Sequence, residues 1–251
     1  MTKIGLLGAQ GRMGREVAAM IAASFQERAT LHASADRDQP LESLLGCDVV
    51  IDFSSPEAVL QLGERLSAAA DPLPALIIGS TGWNLETRPA VRKLAERTSV
   101  ILSSNFSQGV LLMQEMLREY APLFEQFGYT PVIVETHHRH KKDSPSGTAI
   151  SLQRVISPAG PGNVQTHAIR AGEVVGDHEV TFHGTADRIS ITHSAQNRSI
   201  FARGAIEAAI WLAARRMGPN PLRGLLGMDA YFTAVRGRLA EQSKEKRGTK
   251  P

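Results

Sequence analysis

The chain has 251 residues, of which 42% are hydrophobic and 21% are charged. This length allows one large domain or two modest ones, and a net charge of +3 is too small to predict nucleic-acid binding by itself. The single cysteine, Cys47, excludes an internal disulfide framework, and no apolar stretch has the length of a membrane span. We therefore expect a cytoplasmic protein that has no membrane partner.

The first predicted element is a buried strand over residues 3–8, which runs into the glycine-rich turn Gly8-Ala9-Gln10-Gly11-Arg12-Met13-Gly14. Apolar residues at helical spacing follow, so the order is strand, turn and helix. Glycines in such a turn permit a tight bend and let a pyrophosphate approach the helix N-terminus. The GxxGxxG spacing is a variant of the dinucleotide-binding pattern. A merely tight strand-to-helix turn is the alternative.

A second predicted strand over residues 30–35 ends at Asp36 and Arg37. A carboxylate about twenty positions beyond the glycines can hydrogen-bond a ribose hydroxyl, whereas an arginine can accept a 2′-phosphate. The sequence therefore predicts a nicotinamide coenzyme and leaves the choice between NADH and NADPH open.

Three more predicted strands, at residues 48–53, 75–79 and 100–103, each end in small polar residues and precede a helical pattern. This alternation predicts an α/β fold with a Rossmann-type, doubly wound parallel sheet, which binds ligands at the carboxyl ends of its strands. The residues predicted to bind the coenzyme are Gly8, Gln10, Gly11, Arg12, Met13, Gly14, Asp36, Arg37, Phe53, Gly79, Thr81, Gly82, Ser104, Asn105 and Phe106.

The pattern changes after Asn105, where a long helix is followed by strands that alternate in polarity. These strands predict a smaller α+β domain with an open mixed sheet. We also expect a loop at residues 157–163, a short strand at residues 197–201, a buried helix from residue 204, a final packing segment at residues 224–228, and a disordered charged tail from residue 241.

The most distinctive stretch follows an apolar strand and runs from Glu135 to Gly147. It holds three histidines, an arginine and two lysines, which a neutral surface loop does not need. Ser146-Gly147-Thr148 then opens a predicted helix whose first N–H groups can bind a carboxylate or a phosphate. If the chain stays extended past the strand, His137 and Lys141 face the same side. The stretch thus predicts an anion site in which histidine can transfer a proton.

Three other interpretations of this stretch are open. The basic stretch can simply be a solvent-exposed surface of the protein that binds no ligand. The histidines can bind a metal, but the neighbouring ammonium groups disfavour a cation and no cysteine is near, so we expect no metal. No aromatic residue is interleaved to stack on bases, so we expect no nucleic-acid partner.

These motifs resemble those of the 4-hydroxy-tetrahydrodipicolinate reductase family, also called dihydrodipicolinate reductases. The likeness covers almost the whole chain, and its most specific part is the pattern E-x-H-H-R-H-K-x-D-x-P-S-G-T over residues 135–148. The other matching segments are Gly8–Gly14, Ile51–Ser54, Gly79–Gly82, Ser104–Ser107, Ile169–His178 and Phe201–Ala205.

The resemblance implies an NADPH- or NADH-dependent oxidoreductase of lysine and diaminopimelate biosynthesis, which reduces a small cyclic dicarboxylate imine and assembles as a homotetramer. It implies a dinucleotide-binding domain of residues 1–105 and 204–251, and a substrate-binding and oligomerisation domain of residues 106–203. In the family, the position of His137 is the acid–base catalyst and that of Lys141 its charged partner. The positions that match substrate-binding residues are His138, Lys141, Ser146, Gly147 and Thr148.

Elementary chemistry agrees with this resemblance, because hydride addition to a C=C–C=N system leaves an enamine that needs a proton. Whether Lys141 transfers a proton or only binds charge is open. Three features depart from the family pattern: a short 149–168 segment, Asp187-Arg188 in place of Glu-Arg, and Ser80 in place of threonine. A different two-domain Rossmann dehydrogenase, or a nicotinamide-binding sensor without turnover, accounts for the N-terminal half but not for residues 137–148.

Overall fold

The computed structural model describes residues 1–36, 39–157, 164–216 and 221–248. The chain forms two compact units: a first unit of Met1–Phe106 with Ala202–Pro251, and a second unit of Ser107–Phe201. In chain order the elements are β1 (Thr2–Leu7), α1 (Arg12–Met20), β2 (Ala29–Ala35), β3 (Val49–Asp52), α2 (Pro56–Ala68), β4 (Ala75–Ile78), α3 (Arg88–Ala95), β5 (Ser99–Leu102), α4 (Gln108–Gln126), β6 (Thr130–His137), α5 (Gly147–Ile156), β7 (Gln165–Arg170), β8 (Asp177–His183), β9 (Arg188–Ser194), α6 (Ser199–Arg216), β10 (Gly224–Leu226) and α7 (Met228–Gly248).

The first unit contains a six-stranded parallel sheet in the order β10-β5-β4-β3-β1-β2. All residues of β3 and β4 are buried, as expected of strands that are covered on both faces. The strand order reverses between β1 and β3, which is where doubly wound sheets bind their ligands. The predicted Rossmann-type fold is confirmed. The sixth strand, β10, lies in a segment that the sequence predicted only as packing.

The second unit contains a four-stranded sheet in the order β7-β6-β8-β9. β6 pairs in parallel with β7 and antiparallel with β8, so the predicted mixed sheet is confirmed. Helices α4 and α5 pack on one face of this sheet, and they share with it a core that includes Leu117, Ile133, Leu152 and Phe182.

Hydroxyl side chains begin three of the helices. The Oγ atoms of Ser55, Ser107 and Ser146 accept N–H groups from the first turns of α2, α4 and α5. Such N-caps satisfy donors that have no partner within the helix. Each capping serine lies in the segment that connects a strand to the next helix, and these segments contain candidate site residues.

Two local predictions were wrong. Residues 197–201 do not form a strand, because the side chain of Asn197 accepts the N–H of Ser199 at 3.0 Å and α6 begins there. The tail predicted as disordered from residue 241 is helical to Gly248, in agreement with its many good helix formers. Most of the predicted loop at residues 157–163 lies outside the described residues.

Candidate active site

The glycine-rich turn joins β1 to α1 as predicted. Gly8 has φ +84°, and its N–H donates to Ala35 O at 2.8 Å. A Cβ on Gly14 would lie 2.1 Å from Gly8 O, so only glycine permits this contact between the turn and the helix. Among the described residues, no side chain caps the N-terminus of α1 at Gly11. The N–H of Gly11 donates to Gly8 O, so the N–H groups left for a phosphate are those of the first turn of α1.

Asp36 lies beside the glycine-rich turn. Its two carboxylate oxygens accept the backbone N–H of Gln10 at 3.0 and 3.2 Å. This contact places an acidic group at the end of β2, where the sequence predicted a ribose partner. Arg37 lies outside the described residues, so its predicted contact with a 2′-phosphate stays a prediction.

A buried carboxylate that was not predicted as a site residue joins the ends of β3 and β4. Asp52 is 2% exposed and accepts the N–H of Ser54 at 2.8 Å and the hydroxyl of Ser80 at 2.5 Å. Burial raises the pKa of Asp52, and the hydrogen bonds from Ser54 and Ser80 oppose this effect. Ser80 replaces the family's threonine but keeps the hydroxyl that this contact requires.

The other predicted coenzyme residues lie along the carboxyl edge of the sheet. The Phe53 ring packs against the backbone of Gly79 and against Phe106, with ring centroids 5.8 Å apart. Phe106 is only 1% exposed, so it belongs to the core, and its predicted contact with the coenzyme stays a prediction. The residues of this edge that are exposed or half-buried are Gln10, Gly11, Arg12, Met13, Phe53, Gly79, Thr81, Gly82, Ser104 and Asn105.

In the second unit, the carboxylate of Glu135 is the centre of the predicted substrate site. It is fully buried and accepts two hydrogen bonds from the Arg170 guanidinium, at 2.8 and 3.0 Å. It also accepts the N–H of Ser146 at 3.0 Å and a hydrogen bond from His137 Nδ1. Burial opposes ionisation, but these four donors hold the pKa of Glu135 below its usual value. Glu135 is therefore an anion that holds His137 and the start of α5 together.

The contact with Glu135 fixes the state of His137. A carboxylate beside Nδ1 selects the tautomer with its proton on Nδ1, so Nε2 is the atom that can exchange a proton with a ligand. Burial lowers the pKa of His137, while Glu135 raises it, and the net shift is downward. Lys141 and Arg170 add to the lowering through their charges. Without a bound anion, His137 is therefore neutral at pH 7.

The chain does not stay extended after β6, so the conditional prediction of alternating side chains fails beyond His137. The N–H of Lys141 donates to His138 O at 3.1 Å, which closes a turn. This turn brings the Lys141 ammonium to the Asp143 carboxylate at 2.8 Å. Partial burial raises the pKa of Asp143, but Lys141 and the N–H of Gly147 lower it further than burial raises it. Lys141 and the N-terminus of α5 thus already bind one carboxylate.

Two histidines that were not predicted as site residues lie beside this cluster, and they are the buried His178 and the half-buried His193. His178 on β8 pairs in register with Glu135, and His193 on β9 pairs with His178. The ring centroids of His178 and His137 are 5.1 Å apart. The signal that could have found these residues is their alignment with Glu135 across β8 and β9, but it requires the strand order and the register. Arg170 was missed for the same reason.

Most of the predicted substrate residues come together around two carboxylates. Glu135 contacts His137 and Ser146, whereas Asp143 contacts Lys141 and Gly147. The remaining two, His138 and Thr148, are half-buried and 5% exposed respectively, next to these contacts in the chain. In the part of the chain that the structure describes, no group of three or more His, Cys, Asp or Glu residues is arranged to hold a metal. Within the same ranges, no helix is long and apolar enough to cross a membrane.

Comparison with known proteins gives consistent matches along the chain. The family model described as "Dihydrodipicolinate reductase, N-terminus" matches residues 2–106, and the one described as "Dihydrodipicolinate reductase, C-terminus" matches residues 109–230. The 4-hydroxy-tetrahydrodipicolinate reductase of Anaeromyxobacter dehalogenans is 35% identical, over 91% of this chain and 98% of the relative. That of Thiobacillus denitrificans is 32% identical, over 90% and 98%.

Solved structures support the fold independently. The dipicolinate-bound dihydrodipicolinate reductase from Paenisporosarcina sp. TG-14 has a TM-score of 0.70 at 21% identity, and the match covers 90% of this chain and 97% of that one. The apo scyllo-inositol dehydrogenase from Lactobacillus casei has a TM-score of 0.52 at 15% identity, over 85% and 87%. The architecture is thus shared with dehydrogenases that act on other substrates. The two sequence relatives, in contrast, are both 4-hydroxy-tetrahydrodipicolinate reductases. The chain belongs to the dihydrodipicolinate reductase family, whose members are the 4-hydroxy-tetrahydrodipicolinate reductases.

Proposed function

We propose that this protein reduces 4-hydroxy-tetrahydrodipicolinate to tetrahydrodipicolinate with NADPH or NADH, in lysine and diaminopimelate biosynthesis. The first unit binds the coenzyme through its glycine-rich turn and the carboxyl edge of its parallel sheet. The second unit binds the dicarboxylate through His138, Lys141 and the Ser146–Thr148 turn. The observation that carries the proposal is the contact of His137 with the buried Glu135, which also holds the N-terminus of α5.

The reduction requires one hydride and one proton. Loss of the substrate hydroxyl as water leaves a conjugated C=C–C=N system, to which NADPH or NADH, held by the glycine-rich turn and the carboxyl edge of the sheet, would supply the hydride. The resulting enamine then takes a proton at carbon. His137 supplies this proton from Nε2, because Nδ1 is occupied by Glu135. Electrons and protons balance without a metal or a further oxidant.

The protonation of His137 is coupled to substrate binding. In the free protein, burial and the charges of Lys141 and Arg170 keep the pKa of His137 low. A bound dianion adds negative charge beside the ring and partly neutralises those cations, so it favours the protonated form. His137 therefore becomes protonated when the substrate binds.

Lys141 acts by binding charge. Its ammonium group already forms an ion pair with Asp143 at 2.8 Å, and both groups are partly exposed. A substrate carboxylate can join or replace Asp143 at Lys141 and at the N–H of Gly147, since it offers the same oxygen acceptors.

The test is turnover with the aldol product of pyruvate and aspartate semialdehyde, measured by the loss of reduced-nicotinamide absorbance with each coenzyme. We expect turnover with the native protein and a higher substrate KM in Lys141→Ala. Lys142→Ala is the matched control, because Lys142 is an exposed neighbour in the same loop. Absence of turnover with both coenzymes would refute the proposal.

Assembly and location also belong to this proposal. Exposed apolar side chains recur every three or four residues along α4, and they are Leu112, Met116, Tyr120, Leu123 and Phe127. Such a stripe favours burial against another subunit and supports a homotetramer assembled through the second unit. The single cysteine, Cys47, is free and buried, which accords with a reducing cytoplasm.

A further inference from the structure

Two of the helix-capping serines share a second feature. Ser146 Oγ accepts the N–H of Ala149 at 3.1 Å and lies 3.3 Å from His178 Nε2. Ser107 Oγ accepts the N–H of Val110 at 3.2 Å and lies 3.0 Å from His193 Nε2. The second unit therefore repeats one arrangement, in which a histidine contacts the hydroxyl that caps a helix.

The surroundings of His178 decide which group donates the hydrogen bond to the other. His178 is 2% exposed, and its Nδ1 has no hydrogen-bond partner among the described residues. A buried N–H without an acceptor costs more than a buried lone pair without a donor. The lower-cost tautomer therefore carries its proton on Nε2 and directs it at Ser146 Oγ.

The same tautomer determines what Ser146 can do. A hydroxyl has two acceptor sites and one donor hydrogen. With Nε2–H of His178 and N–H of Ala149 both donating to Ser146 Oγ, both acceptor sites are filled. The hydroxyl hydrogen is then left for an anion at the N-terminus of α5.

We propose that His178 is a positioning residue that fixes the hydroxyl of Ser146 as a hydrogen-bond donor to a substrate carboxylate. This inference rests on the proposed function, in which Ser146 binds one of the two carboxylates. His178 acts through Ser146 and does not itself touch the substrate.

The neighbours of His178 keep it neutral, as this role requires. The groups that face it are Glu135 on the paired strand, His137, His193 and Lys141. Burial, followed by repulsion from His137 when that ring is protonated, lowers the pKa of His178 to about 3. Between pH 6 and 8 the ring therefore has one N–H to give, and substrate binding does not change its charge.

The first experiment reads the tautomer directly in the native protein. Two-bond ¹H–¹⁵N correlation spectra of protein labelled with ¹⁵N-histidine distinguish a protonated Nε2 from a protonated Nδ1, with His178→Gln assigning the signals. We expect His178 to carry its proton on Nε2 both with and without dipicolinate. A proton on Nδ1 would overturn the inference, whether or not the protein turns over substrate.

The second experiment uses two variants that differ in reach. Glutamine can place an N–H where Nε2 lies, whereas the shorter asparagine reaches only the position of Nδ1. We expect His178→Asn to raise the substrate KM roughly tenfold, the value of one hydrogen bond to a charged group, with kcat and the coenzyme KM unchanged. His178→Gln should restore most of the affinity. His183→Asn, an exposed change on the same strand, is the control.

A double-mutant cycle separates positioning from a merely structural role. In the Ser146→Ala background, His178→Asn should change the substrate KM by less than about twofold, because the hydroxyl on which it acts is gone. Equal effects of His178→Asn with and without the Ser146 hydroxyl would contradict the inference. Failure of the native protein to turn over substrate would instead refute the proposed function, and the tautomer measurement would still stand.

Discussion

The substitution Glu135→Gln tests the centre of the substrate site. The carboxylate accepts four hydrogen bonds, two on each oxygen, from Arg170, Ser146 and His137. Glutamine has only one acceptor oxygen, so its amide N–H₂ group takes the place of the other oxygen and faces two groups that are themselves hydrogen-bond donors. The contact that costs least to keep is the one with His137, which can move its proton to Nε2. One N–H of Arg170 then loses its acceptor.

The magnitude of this change follows from burial. Removing one partner of a buried ion pair costs about 3–5 kcal/mol, and partial exposure of the remaining charge reduces this figure. Glu135 is fully buried, and the Arg170 side chain is 19% exposed. We therefore expect the free energy of unfolding to fall by about 2–4 kcal/mol. The wrong tautomer of His137 should also lower kcat by about 10²–10⁴, the usual contribution of a general acid.

The pH dependence gives a second and independent signature. The hydrogen bond and the charge of Glu135 both raise the pKa of His137. A general acid works only below its pKa, so the loss of Glu135 moves the basic limb of the pH–kcat/KM profile to lower pH. Glu173→Gln is the control, since Glu173 forms only an exposed ion pair with Arg139 at 3.8 Å. Native turnover and an unshifted basic limb in Glu135→Gln would refute this account.

Three further predictions concern stability, assembly and coenzyme choice. Burial lowers the pKa of His178 from 6.5 to about 3, so between these pH values the unfolded chain binds a proton that the folded protein does not. The free energy of unfolding should therefore decrease by up to about 1.4 kcal/mol for each pH unit by which the pH is lowered below 6.5. The free energy of unfolding, measured by urea denaturation at several pH values, should depend less steeply on pH in His178→Asn than in the native protein or in His183→Asn. Equal dependence on pH in all three would contradict this prediction. Leu123→Glu should shift the mass measured by light scattering to smaller species, whereas Leu239→Glu on α7 should not; an unchanged mass would exclude this face from the interface. Arg37→Ala should weaken NADPH more than NADH in fluorescence titrations, and equal weakening would show that Arg37 does not contact the 2′-phosphate.

The sequence predicted those features that depend on local patterns. The parallel sheet follows from apolar runs that alternate with helical segments, and the turn at Gly8–Gly14 follows from glycine spacing. The basic stretch was identified because its charge density is unusual. These signals need no knowledge of which strands are neighbours.

The contacts that organise the two sites could not be predicted in this way. Asp52 meets Ser80 across 28 residues, and Glu135 meets Arg170 across 35. Such pairs form only when the strand order and register are fixed, and one residue of slip would send each side chain to the other face. The extension predicted beyond His137 failed for a related reason, because β7 ends opposite His137 and leaves no partner there for a longer β6. Residues that are distant in sequence therefore determine these side-chain contacts and the end of β6, which the local sequence pattern does not specify.

The most direct test of the central claim follows the two hydrogens into the product. Native protein with coenzyme deuterated at C4 of the nicotinamide should give tetrahydrodipicolinate with one deuterium from the coenzyme, and turnover in D₂O should add one from solvent, both read by mass spectrometry. His137→Gln should lower kcat by about 10²–10⁴ with coenzyme affinity unchanged. Product without deuterium from the coenzyme, or native turnover in His137→Gln, would contradict the account.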